Sequence, residues 1–119
     1  MQKFDHEKLD VYQTAVEWVA LAQDIVAAML DGKRHGPLAD QLQRAASSIT
    51  LNIAEGAGEF SPADKSRFYR IAKRSATECA AILDVAQRRC CISHDYFNHG
   101  RSLLLRIVGM LVKLAQAHC

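Results

Sequence analysis

Three arginines, Arg67, Arg70 and Arg74, recur at i, i+3 and i+7, with Lys73 beside them and Arg88 and Arg89 further along the same segment. On a helix that spacing lines guanidinium groups along one face. A guanidinium is permanently charged and offers a planar fork of donors, so a row of them suits successive phosphates of a nucleic acid. Lys33 and Arg34 can extend the patch. Aromatic residues within the run are limited to Phe68 and Tyr69, which favours recognition by charge and shape over base stacking. The plainer alternative is a solvated helix face with no ligand.

A second polar group interrupts an apolar run in LNIAEGAGEFSPAD, residues 51–64. Asn52 falls on the apolar stripe and needs hydrogen-bond partners, which Ser75 on the following segment is placed to supply. Glu55 lies near a helix C-terminus, where the macrodipole disfavours a carboxylate, so a cation such as Lys65 or free backbone N–H groups should stand close. Counting back from the turn sets Arg44 level with Glu78 and predicts an ion pair that fixes register. Glu55 and Glu78 are several helical turns apart, too far for a shared acid–base centre. There is no nucleophile–base pair, phosphate-binding glycine loop or HExxH signature, so no enzyme is expected and no cofactor.

Cys79, Cys90, Cys91 and Cys119 lack paired CxxC spacing, and His94, His99 and His118 add no ligand pattern. Reduced thiols and no metal are expected. The charged start MQKFDHEKLD has no apolar h-region, which predicts a cytoplasmic protein. Net charge is only +2, but unevenly spread: residues 1–30 carry two basic and five acidic side chains, and residues 31–119 thirteen and eight. The basic excess concentrates in residues 65–89.

Four long periodic segments must carry these groups, and 119 residues, half of them hydrophobic, suffice for one domain spanning 1–119. The first runs from about Asp5 to Leu30, with Val11, Ala15, Trp18, Ala22, Ile25 and Met29 on one face. Pro37 opens the second, whose inner face reads Leu38, Leu42, Ala45, Ile49, Asn52, Ile53 and Gly56, until Gly56 and Gly58 stop it. Ser61, Pro62 and Asp64 are a capped start for the third, with Phe68, Ile71, Ala72, Ser75, Cys79, Ile82 and Ala86 inward, ending near Arg89. Ser93 caps a fourth, running to about Ala117. Long helices on short loops are antiparallel neighbours, giving an all-α, up-down-up-down four-helix bundle.

The fourth segment confines its polar residues His99, Ser102, Arg106, Gly109, Lys113 and Gln116 to one strip and is otherwise nearly all apolar. On the first, Tyr12, Val16, Val19 and Val26 widen the apolar side in the same way. Arcs of that width predict self-association through the first and fourth helices, the alternative being a generously apolar monomer. Arg106 and Lys113 argue against a membrane span.

The sequence resembles the four-helix-bundle family of 23S rRNA intervening-sequence proteins, which includes accessory variability determinants of diversity-generating retroelements. The likeness rests on LDVYQTAVEW, QLQRAASSITLNIAEGAGEFSPAD and FYRIAKRSATECAAIL, and extends over nearly the whole chain. Asn52, Glu55, Gly56, Ser75 and Glu78 match its motif positions. The resemblance implies a bacterial homopentamer and, for the retroelement branch, a positive surface that contacts RNA and a reverse transcriptase. The expected function is therefore a non-enzymatic oligomer that binds RNA or a ribonucleoprotein through its third helix. A protein-interaction scaffold is the alternative.

Overall fold

The computed structural model describes residues 2–31 and 35–118. Lys33, Arg34 and Cys119 lie outside the described residues. Four helices, α1 (Asp10–Leu30), α2 (Gly36–Gly58), α3 (Pro62–Arg88) and α4 (His94–Ala117), form an up-down-up-down bundle. Each helix packs against the next, and α4 closes against α1. At about 1.5 Å per residue α3 alone is about 40 Å long, which sets the long axis of a molecule measuring 46 × 31 × 22 Å.

All six residues expected on the inner face of α1 are buried, around Trp18. On α2, Leu38 and Asn52 prove half-buried, and Ala39, Ala46 and Ala57 join the buried set. On α3 the inner stripe is turned slightly from the expected one. Tyr69, Ala76 and Leu83 are buried, while Phe68, Ile71 and Ser75 sit half-buried at its edge. Alanines let α2 and α3 approach closely, so the burial stripe follows the small residues as well as the large ones.

The helix starts follow local chemistry. Ser61 Oγ accepts from Asp64 N–H at 3.4 Å and Ser93 Oγ from Tyr96 N–H at 3.1 Å, as Ncap residues do. Pro62 occupies the first turn, where no N–H is missed. One boundary differs from expectation. A short 3-10 helix, Asp5–Lys8, precedes α1, because Leu9 is extended (φ −94°, ψ 128°) and breaks the run. Its start is held by Phe4 N–H donating to Glu7 Oε1 at 3.0 Å.

α2 ends at Gly58, one of the two glycines expected to stop it, and Gly56 lies inside its last turn. A Cβ at Gly56 would lie 2.8 Å from Tyr69 Cε1 and 3.2 Å from Phe68 Cβ. This glycine is there to admit the Tyr69 ring. Gly100 does the same on α4, where a Cβ would lie 3.0 Å from Trp18 Cζ3 and 2.8 Å from Leu83 Cδ1.

Candidate nucleic-acid interface

From Ala63 to Arg88 α3 contains neither glycine nor proline, so it carries its side chains on a straight, regular frame. The inner side is fixed by the core, and the opposite side presents Arg67, Arg70, Lys73, Arg74 and Arg88, all exposed. At about 100° per residue Arg67, Arg70, Arg74 and Arg88 fall within an arc about 60° wide, with Lys73 about 60° beyond Arg70. Arg89, the C-cap residue, is also exposed.

The cations form two blocks, Arg67–Arg74 and Arg88–Arg89, about 20 Å apart along the axis. Glu78 and Asp84, both exposed, lie between them. Arg67 is partly engaged: its Nε is 3.9 Å from Asp64 Oδ1, and its Cζ stands 4.5 Å above the Phe68 ring. At that exposure the ion pair contributes little. The only other ion pair among the described residues is Lys8–Asp5, so Arg70, Lys73, Arg74, Arg88 and Arg89 have no carboxylate partner there.

Polar groups on the α2 side of α3 are engaged inside the chain. Lys65 Nζ donates to the carbonyls of Ala57 at 2.9 Å and Gly56 at 3.2 Å, closing the C-terminal end of α2. Lys65 makes no ion pair with Glu55, which is exposed. The free carbonyls ending α2 attract the ammonium more strongly than a solvated carboxylate does.

Asn52 Nδ2 donates to Ser48 O at 2.8 Å and Ser48 Oγ at 3.0 Å, and Ser48 Oγ is 2.8 Å from Ser75 Oγ. Ser48 thus relays between the two helices, a role the sequence reading missed. The signal was present, since Ser48 stands one turn before Asn52 and within one residue of level with Ser75. Arg44 and Glu78 form no ion pair, because both point into solvent away from the contact stripe.

Two open cavities flank the bundle. One of about 640 Å³ lies between the start of α3 and the last turn of α4, lined by Pro62, Ala63, Ser66, Arg70, Ala117 and His118. The other, about 580 Å³, is a groove between Asp10, Gln13, Thr14 and Glu17 of α1 and Arg106, Gly109, Met110 and Lys113 of α4. Among the described residues no group of three or more His, Cys, Asp and Glu could hold a metal ion. Cys79, Cys90 and Cys91 are free thiols, and burial pushes the Cys79 thiol up to about 12. No described helix is long and apolar enough to cross a membrane.

A family model for 23S rRNA-intervening sequence proteins matches residues 7–113. Among solved structures, a protein of unknown function from the S23 ribosomal protein family of Bacteroides thetaiotaomicron shares the fold. It has a TM-score of 0.83 and 20% identity over 88% of this chain and 97% of that one. No curated protein matches. Neither finding bears on the retroelement branch. With the match reaching from before α1 into α4, the chain belongs to the 23S rRNA-intervening sequence protein family.

Proposed function

We propose that this protein is a non-enzymatic homo-oligomer that binds structured RNA, free or within a ribonucleoprotein such as a reverse transcriptase complex, through the outer face of α3. The observation that carries this reading is the set of exposed cations, Arg70, Lys73, Arg74, Arg88 and Arg89, with no carboxylate partner among the described residues. Such cations are available to phosphates, and releasing counterions from RNA drives the association. Membership of a family named for an interruption in 23S rRNA supports RNA over other polyanions. Two blocks about 20 Å apart suit a folded RNA that touches the helix twice.

Support for self-association comes from two apolar stripes. On α1, Val16 is 43% and Leu30 46% exposed, with Tyr12 and Val19 half-buried beside them. On α4, Leu105 is 59% exposed, with Val108 and Val112 half-buried alongside. Taken at about 100° per residue, the α1 stripe is centred about 145° from the charged α1–α4 groove and the α4 stripe about 120° from it. They therefore flank the bundle on opposite sides. A stripe of one copy meeting the different stripe of the next is a heterologous contact, which forms a ring when the rotation between copies closes the circle. Five subunits is the number the family resemblance implies.

Light scattering at micromolar concentration should give the mass of a closed oligomer, and Leu105→Glu should give monomers. A monomeric wild-type chain would refute the assembly. Fluorescence anisotropy with a structured RNA should show binding that weakens strongly when Arg67, Arg70 and Arg74 are all replaced by glutamine. Undiminished binding by that variant would refute the interface, and recovery of a protein partner without RNA would favour a scaffold.

A further inference from the structure

The cavity beside the start of α3 has features that the row of arginines does not explain. Two basic side chains, Arg70 and His118, line it, and among the described residues no carboxylate does. Arg70 has no ion pair among the described residues. The His118 ring is set against Tyr69, with centroids 5.9 Å apart, and Tyr69 is itself held in the core against Gly56. Ser66 Oγ donates to Ala115 O at 3.2 Å and locks the last turn of α4 onto α3, so the two walls keep a fixed spacing. The remaining lining, Pro62, Ala63 and Ala117, is apolar.

Just before this rim stands Phe60, 99% exposed. One residue, Ser61, separates it from Pro62, so their Cα atoms are at most about 7 Å apart. A fully exposed phenylalanine makes no contribution to the core, and its faces are free for stacking.

We propose that this end of the bundle binds the phosphorylated terminus of an RNA strand, its phosphate between Arg70 and His118 and its terminal base on Phe60. The inference rests on the RNA-binding reading for the rest of the strand. A terminal phosphomonoester carries up to two negative charges and three free oxygens, and so gains more from a guanidinium together with a ring N–H donor than an internal phosphodiester does. The apolar walls suit the sugar, and stacking on an aromatic ring accepts any base.

The test is fluorescence anisotropy on the full chain with short RNA probes bearing a 5′-phosphate, a 3′-phosphate or hydroxyls at both ends, each labelled away from the end in question. One of the phosphorylated ends should bind about tenfold tighter than the hydroxyl probe. His118→Gln and Phe60→Ala lie outside the arginine row. His118→Gln should remove most of that advantage while leaving affinity for the hydroxyl probe at the wild-type value, and Phe60→Ala should weaken all three probes by the loss of one stacked base.

Equal affinity for all three probes, an advantage that survives His118→Gln, or undiminished binding by Phe60→Ala would overturn the terminus site while leaving the α3 interface intact. Should no probe bind at all, the α3 interface fails. The cavity is then judged by adenosine 5′-monophosphate against adenosine, observed through the His118 ring resonances. A shift with the nucleotide alone supports the site, and no shift with either overturns it.

Discussion

The two sides of α3 have opposite relations to the rest of the chain. On the α2 side Lys65, Ser75 and Tyr69 are each matched to a particular partner: two carbonyls, a facing serine and a glycine that leaves room for a ring. On the outer side Arg70, Lys73 and Arg74 have the same kind of charge as Lys65 but no partner among the described residues. A lysine seven residues past the end of α2 is structural because free carbonyls lie within its reach, whereas Arg70 and Arg74, further along, have no such partner among the described residues. What a cation does here is decided by its direction from the helix axis, and hardly by its distance along the chain.

The largest contrast between inside and outside is in thiol chemistry. With its pKa raised to about 12 by burial, Cys79 has on the order of one thiol in ten thousand ionised at pH 8. Iodoacetamide at that pH should label the exposed Cys90 rapidly and leave Cys79 unlabelled until the chain is unfolded, as read by peptide mass spectrometry. Rapid native labelling of Cys79 would mean that the core opens.

Gly56→Ala comes next. Its methyl would press on the Tyr69 ring and on Phe68 Cβ, which is fixed to the backbone of α3. Overpacking of this kind costs about 1–3 kcal/mol, partly offset by the better helix propensity of alanine, so a net loss of about 1–2 kcal/mol is expected in urea unfolding. Lys65→Met removes two bonds to carbonyls and should cost about 1 kcal/mol in the same measurement. Smallest is the triple replacement of Arg67, Arg70 and Arg74 by glutamine, expected to change stability by less than about 0.5 kcal/mol in all, because exposed charges contribute little to folding. Stability losses from the outer set as large as those from Gly56 or Lys65 would erase the distinction.

Much of the fold could be read from local signals. Ser61, Pro62, Asp64 and Ser93 mark their helix starts by short-range chemistry, and the large residues of α1 repeat cleanly enough to give its buried face. What escaped depends on direction across the bundle. Gly56 looked like a stop because glycine so often ends a helix, yet its role is set by a ring thirteen residues later. Arg44 and Glu78 were placed at the right level and at the wrong angle: counting from a turn gives height along the hairpin and says nothing about which way a side chain faces. The same count would have found Ser48 opposite Ser75. Of the arginine row, spacing gave the shared face, while the interruption by Glu78 and Asp84 follows only once the helix is known to run unbroken from Pro62 to Arg88.

The central claim is that the outer cations of α3 are kept for phosphates and the inner one is not. It is tested most directly by the salt dependence of affinity for a structured RNA, measured for the wild type, for the Arg67, Arg70 and Arg74 triple glutamine variant and for Lys65→Gln. The account predicts that the slope of log K against log salt falls in magnitude by about 2–3 in the triple variant and is unchanged in Lys65→Gln. Equal slopes for wild type and triple variant, or a loss as large from Lys65→Gln, would contradict it.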